Sequence, residues 1–183
     1  MRRSTGIDER GAPEIQVTRM RRRHLKGIMA IERQVYPRPW SANLFLAEMR
    51  NQKDRAYFVA LLDREVVGYG GLLSYGDEAH VTTIAVHPDQ QRRRIGTRLL
   101  IELLEQAGAM DAVAVSLEVR VTNHAAQRMY GRFGFRPIGV RKNYYQEIGE
   151  DALVMWTDDI RTEAYRRILD GIRGSLPEEL RTP

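Results

Sequence analysis

The chain of 183 residues contains no cysteine. Disulfides, thiolate metal sites and iron–sulfur clusters are thereby excluded, and so is any acyl intermediate on an enzyme cysteine. No metal-binding motif is present. No apolar run approaches the roughly 20 residues of a membrane span, and the first residues, MRRSTGIDERGAPE, lack the apolar stretch of a secretory signal. The expected compartment is the cytoplasm, with no membrane partner. Internal repeats and low-complexity segments are also missing. What remains is 43% hydrophobic and 29% charged, enough apolar material for an ordinary core without staples.

A net charge of +5 raises the question of a nucleic-acid partner. The surplus is local. Residues 1–26 carry eight basic and three acidic side chains, and the rest of the chain is balanced. A nucleic-acid face combines basic and interleaved aromatic residues, whereas this is a basic leader, read as solvated rather than as a nucleic-acid site.

Periodicity organises the chain. Residues 1–13 are polar, with Gly6, Gly11 and Pro13, and read as a disordered leader. Residues 14–20 alternate as a strand. From His24 onwards Leu25, Ile28, Met29, Ile31 and Val35 sit at helical spacing, until Tyr36-Pro37-Arg38-Pro39-Trp40 forces an extended break. Ser41 can cap a second helix carrying Leu44, Phe45 and Met49. Strands are expected over 57–62, 66–74, 80–86 and 113–121, with helices over 96–109 and 125–133, the latter closed by Gly134. Two more strands fall near 136–140 and 153–156. A helical tail over 158–173 is expected to fray at Pro177 and Pro183. Alternation of strands and helices in the middle implies an α/β layout, one sheet covered by helices.

Two constellations carry chemistry. The first, Gln91-Arg92-Arg93-Arg94-Ile95-Gly96-Thr97, follows a strand and opens a helix. Such a junction aims unpaired N–H groups and the positive end of the helix dipole at one point, as an anionic phosphate requires. It is neither a P-loop nor a dinucleotide fingerprint, and spacing alone leaves a solvated helix start open. The second is Ser116-Leu117-Glu118-Val119-Arg120, then Asn123, Tyr130 and Phe133-Gly134-Phe135. Glu118 and Arg120 interrupt an apolar strand on the face of Ser116. A charge there is costly unless paired or used, so the pattern reads either as a Glu–Arg pair or as a working carboxylate. Asn123 can cap the next helix, and Tyr130 can equally be a core aromatic.

Taken together, these residues resemble the GNAT superfamily of acetyl-CoA-dependent N-acetyltransferases. Gln91 to Gly96 resembles its pyrophosphate motif. Asn123-x-x-Ala126-x-x-x-Tyr130-x-x-x-Gly134-Phe135 resembles its second motif. Tyr36 to Ser41, Leu117 to Arg120 and Lys142-Asn143-Tyr144-Tyr145 are similar to the RimI-type branch, the ribosomal-protein alanine N-acetyltransferases. The resemblance spans about residues 14–157, with 158–183 as a helical tail outside it.

The resemblance implies a mixed, twisted sheet of six to seven strands flanked by helices, whose two central strands splay to admit the pantetheine arm of acetyl-CoA. Backbone groups of Ile84, Ala85 and Val86 would pair with that arm. The amides of Arg92, Arg93, Arg94, Ile95, Gly96 and Thr97 would hold the pyrophosphate, and Asn123 would contact the cosubstrate. Glu118 matches the general base and Tyr130 the general acid. Tyr36, Trp40, Tyr144 and Tyr145 would wall a groove for a protein N-terminus, an Ala-first ribosomal protein in this branch. The rival readings are the same fold acting on a small amine or a lysine side chain, and a non-catalytic acetyl-CoA-binding module. One departure is specific: Arg94 stands where the motif has its first glycine, and is strained if that position needs positive φ.

Overall fold

The computed structural model describes residues 15–181; the leader expected over 1–13 lies outside them. In chain order the elements are β1 (Ile15–Arg19), α1 (Leu25–Val35), α2 (Ala42–Arg50), β2 (Arg55–Leu62), β3 (Glu65–Tyr75), β4 (Glu78–Val86), α3 (Ile95–Ala109), β5 (Ala114–Arg120), α4 (His124–Arg132), β6 (Arg136–Tyr145), β7 (Glu150–Trp156) and α5 (Glu163–Gly174). The seven strands form one mixed sheet in the order β1-β2-β3-β4-β5-β7-β6, as the resemblance implied. Every pair in it is antiparallel except β4–β5.

Two apolar layers hold the sheet. On one face α3 packs across β1 to β4, and Leu99, Leu100, Leu103 and Leu104 are essentially inaccessible. On the other, Ile28 and Ile31 of α1 and Phe45 of α2 meet Tyr57, Val59 and Tyr69. Local chemistry sets the helix ends. The Ser41 hydroxyl accepts the Leu44 N–H at 3.2 Å, the expected cap of α2. Gly134, at φ +80, turns the chain out of α4 in a conformation that favours glycine.

The tail departs from expectation. It does not fray at Pro177. Pro177 instead opens a short 3-10 turn, Glu178–Leu180, and Leu176 and Leu180 are each 1% exposed. With Ile160, Tyr165 and Ile172 they join the α3 layer, and the turn meets the edge strand β1. Burying two leucines offsets the ordering of that segment by about 1.5–3 kcal/mol each. Pro183 lies outside the described residues.

The parallel pair β4–β5 makes the opening. Its ladder runs only from Glu78 opposite Ala114 to Val81 opposite Leu117. At that point the β3–β4 register slips, with Leu72 opposite Val81 and Gly71 opposite Thr83, which leaves Thr82 as the extra residue of a bulge. A bulge bends its strand and strengthens the local twist. The bulge is anchored by the Tyr57 hydroxyl, 3.2 Å from Thr82 Oγ1 and donating to Glu48 Oε2 at 2.9 Å. Residue 71 must be glycine here, because a Cβ would lie 2.2 Å from the Tyr57 ring. Beyond the bulge, β5 turns its remaining residues, Glu118 to Arg120, to β7, and β4 runs on alone on that side.

Candidate active site

A cavity of about 490 Å³ lies where β4 and β5 part. It gathers Tyr36, Trp40, Ile84, Glu118, Asn123, Tyr130, Tyr144 and Tyr145, residues spread over more than a hundred positions of sequence. Ala85, Val86 and the 92–97 loop do not line it. They lie further along the same strand and in the turn that follows.

Glu118 is the most deeply placed carboxylate on the β5 wall, with a side chain 7% exposed. It does not pair with Arg120, the bland expectation; the Arg120 guanidinium sits over the Tyr145 ring, 5.4 Å from its centroid. The partners of Glu118 come from β4, beside β5, and from β6, one strand beyond β7. His80 Nε2 of β4 is 3.0 Å from Oε2, and Arg141 Nη1 of β6 is 3.1 Å from Oε1. The His80 hydrogen bond, with the Arg141 guanidinium behind it, outweighs burial and holds the Glu118 carboxyl below the usual carboxylate value. The group is therefore an ionised acceptor at neutral pH.

Tyr130 reaches the cavity from α4, packed against Phe135 at 5.8 Å between ring centroids and 8% exposed. Burial raises its phenol above the ordinary value, so it carries its proton throughout the neutral range. Asn123 caps α4, its side chain accepting the Ala126 N–H at 3.1 Å. The Asn123 backbone N–H donates to the Arg120 carbonyl and its C=O accepts from the Gln127 N–H, so contact with a ligand falls to the side-chain NH₂.

The loop into α3 forms an anion-binding geometry. The first helical bond is from Arg98 N–H to the Arg94 carbonyl at 3.0 Å, so the amides of Ile95, Gly96 and Thr97 have no acceptor within the helix. Arg94 has φ 64 and ψ 10, the left-handed conformation that the missing glycine predicts. Arg92 shares it at φ 63, which the sequence reading did not foresee. Arg92 and Arg94 are exposed, while the Arg93 side chain donates to Gln90. Gly96 faces Val86 and the Met129 sulfur at 3.7–3.8 Å from where a Cβ would be, which sets this cradle at the outer end of the unpaired half of β4.

The opposite wall comes from the break between α1 and α2. Glu32, 1% exposed, accepts the Trp40 backbone N–H at 2.7 Å and the Tyr69 hydroxyl, so one buried carboxylate pins the loop. Burial raises the Glu32 pKa, and those two hydrogen bonds oppose the rise. The Tyr36 hydroxyl lies 3.2 Å from Thr83 Oγ1 and donates to the Ile84 carbonyl at 3.4 Å. Across the mouth, Tyr144 and Tyr145 meet edge to face at 5.2 Å, and burial pushes the Tyr145 phenol up to about 12. Sequence reasoning missed Glu32, His80 and Arg141. Glu32 had a signal, a carboxylate on the apolar side of an amphipathic helix; the other two depend on strand pairing.

A family model for the acetyltransferase (GNAT) family matches residues 25–135. The chain belongs to that family. It is an acetyl-CoA-dependent acetyltransferase. It is 38% identical over 140 residues to a Bacillus subtilis protein provisionally named a ribosomal protein bS18 alanine N-acetyltransferase, covering 76% of this chain and 93% of that one. To the N-alpha-acetyltransferase RimI of Mycobacterium tuberculosis it is 39% identical over 124 residues, 66% of this chain and 76% of the relative. The crystal structure of the ribosomal-protein-S18-alanine N-acetyltransferase from Escherichia coli superimposes with a TM-score of 0.71 at 27% identity, covering 79% of this chain and 94% of that one. Among the described residues no helix is long and apolar enough to cross a membrane, and no group of three or more His, Asp or Glu could hold a metal ion.

Proposed function

We propose that the protein moves acetyl from acetyl-CoA to the α-amine of a protein N-terminus, an Ala-first ribosomal protein being the favoured substrate. The observation that carries this is the placement of an ionised carboxylate, Glu118, and a protonated phenol, Tyr130, in one cavity between splayed strands, with an anion cradle at its outer end. The kinship with alanine N-acetyltransferases supports the choice of amine, and a cytoplasmic setting follows from such a substrate.

The residues divide the work by position. The free amides at the start of α3, with Arg92 and Arg94, would take the pyrophosphate. The unpaired half of β4, with Ile84, Ala85 and Val86, would take the amide-bearing arm as an added strand. This places the thioester between Glu118 and Tyr130. A peptide α-amine has a pKa of about 7.7–8.0, against about 10.4 for lysine, so a weak base suffices for the first and not for the second. Glu118, directly or through one water, accepts the amine proton. The neutral amine attacks the thioester carbonyl, a β4 N–H near Val86 stabilises the oxyanion, and Tyr130 protonates the departing thiolate. Tyr36, Trp40, Tyr144 and Tyr145 line the entry for the peptide. With no cysteine, transfer is direct within a ternary complex.

Coenzyme A release, measured with acetyl-CoA and Ala-, Ser- and Met-first peptides beside lysine peptides and polyamines, tests the proposal. Turnover on the Ala-first peptide is expected. Turnover confined to lysine or polyamines would keep the fold and discard the substrate, and acetyl-CoA binding without turnover would favour a binding module. Parallel double-reciprocal lines would reject the ternary complex.

A further inference from the structure

The loop between α1 and α2 forms the wall opposite β5, and its Tyr36, Arg38 and Trp40 all line the cavity. It has little backbone bonding of its own. Pro37 and Pro39 carry no N–H, which leaves three main-chain donors over residues 36–40. Two of them go to one residue. The Tyr36 N–H donates to the Glu32 carbonyl at 3.0 Å, and the Trp40 N–H donates to Glu32 Oε2 at 2.7 Å. Glu32 thus closes the loop at both ends, once with its main chain and once with its side chain. The first bond is the ordinary last turn of a helix. The second depends on the carboxylate.

That carboxylate stands in a costly place. Glu32 is 1% exposed, in the same helix as the fully covered Ile28 and Ile31. Its two donors, the Trp40 N–H and the Tyr69 hydroxyl, are neutral, and no cation among the described residues pairs with it. An apolar side chain there would extend the layer of Ile28, Ile31 and Phe45 at less cost to folding. It would not hold Trp40. Tyr69, donating to the second carboxylate oxygen, stands opposite Ala85 in the sheet. The loop is therefore referred to β3, beside the open half of β4, and not to α1 alone. The Trp40 ring is held from the same side, since it packs on Phe45 at 5.4 Å and Phe45 meets the Tyr69 ring at 5.6 Å.

We propose that Glu32 is a positioning residue for the acceptor substrate: by fixing the Trp40 backbone it sets where Tyr36, Arg38 and Trp40 stand against the incoming N-terminal segment. The proposal rests on the N-terminal acetylation argued above. Glu32 borders the cavity but is too deeply covered to present a face to a peptide, so it acts through the loop. The anion cradle at the start of α3 belongs to the opposite face of the sheet, and acetyl-CoA binding does not depend on this anchor. A buried acid that served only the fold would lower the amount of active enzyme and leave both Michaelis constants alone. A positioning residue moves one of them.

The test is steady-state kinetics on an Ala-first peptide and on acetyl-CoA, each varied in turn, for wild type, Glu32→Ala, Glu32→Gln and Tyr69→Phe. Glu32→Ala is expected to raise the peptide KM roughly tenfold or more, the effect of losing a buried hydrogen bond to a carboxylate. Its kcat and acetyl-CoA KM should stay within about twofold, the signature of lost uniform binding. Glu32→Gln keeps an acceptor for the Trp40 N–H at the same reach, so its peptide KM should lie within about threefold of wild type. Tyr69→Phe releases one carboxylate oxygen and should raise the peptide KM by less than Glu32→Ala; it carries the test if Glu32→Ala does not fold. An unchanged peptide KM in both, or a glutamine as damaging as alanine, would overturn the proposal. If the wild type acetylates only lysine peptides or polyamines, the proposed function fails, and the same KM split on that amine decides the role of Glu32. If it turns over no amine, hydrogen exchange at the Trp40 amide decides: protection lost in Glu32→Ala and kept in Glu32→Gln supports the anchor, and equal exchange in all three overturns it.

Discussion

The two halves of the β4–β5 pair differ in kind although they belong to the same two strands. In the inner half, Glu78–Val81 and Ala114–Leu117 complete a parallel ladder, and Ala79, Val81, Val115 and Leu117 feed the α3 layer. In the outer half the ladder has stopped. Thr82 and Thr83 on one strand and Glu118 and Arg120 on the other present polar side chains to a cavity. A sheet normally satisfies its backbone groups internally, and leaving them unpaired away from water costs free energy. The bulge at Thr82 is thus the place where the fold gives up sheet stability and obtains backbone donors and acceptors for a ligand. The proposed site sits where pairing has been withdrawn, next to where it is complete.

The boundary falls between consecutive residues, which gives the sharpest way to break the comparison. Glu118→Gln keeps the shape and removes the proposed base. Its expected cost is about 10²–10⁴ in kcat, with an unfolding midpoint close to wild type and acetyl-CoA still bound. Leu117→Ala, at a residue 1% exposed, should act mainly on the fold: about 2–5 kcal/mol of stability lost in denaturant unfolding, with a smaller loss of kcat in the remaining folded protein, because Leu117 also lines the cavity. Loss of stability in Glu118→Gln matching that of Leu117→Ala would erase the distinction between the halves.

Tyr130→Phe tests the far side of the cavity. The ring stays packed on Phe135 and the proton is lost, so kcat should fall about 10²-fold while stability changes by no more than about 1 kcal/mol. The pH dependence of folding gives a quieter contrast. The Glu118 pKa is lowered in the folded protein by His80 first and Arg141 as well. Its contribution is therefore complete above the unfolded value of about 4.3 and is lost as pH falls through the lower folded value. Unfolding of wild type between pH 5 and 3 should show a slope that Glu118→Gln reduces; identical slopes would mean that the ion pairs add nothing.

Local signals made much of this fold legible. The spacing of Leu25, Ile28, Met29, Ile31 and Val35, the cap at Ser41 and the turn at Gly134 each act within a few residues, and each lies where the pattern put it. Glu118 and Tyr130 were likewise visible as a charge inside an apolar strand and an aromatic at a helix end. What surrounds them was not. His80 reaches Glu118 only through the parallel register, and Arg141 only because β6 lies beyond β7. Such contacts follow from pairings between distant segments, which periodicity does not encode. The tail misled for a related reason: Pro177 signals a break in the helix, but Leu180 beyond it is drawn into a core built by α3, far away in sequence.

The smallest effect concerns the anion cradle, where strain and charge oppose each other within one side chain. Arg94 is held at φ 64, a conformation that costs an ordinary residue about 1–2 kcal/mol. Glycine would remove that cost and restore about 0.4–1 kcal/mol of unfolded-chain entropy, a net gain on the order of 0.5–1 kcal/mol. In a chain of this size that raises the melting temperature by about 1–4 °C. Arg94→Gly should show this gain together with weaker acetyl-CoA binding that depends less on salt, since a surface charge acts over roughly the 10 Å screening length at 0.1 M salt. Arg94→Ala loses the charge and keeps the backbone conformation, so its affinity should fall without any rise in melting temperature. If alanine stabilised as much as glycine, crowding of positive charge among Arg92, Arg93 and Arg94, and not the left-handed backbone, would be what the loop gives up for its ligand.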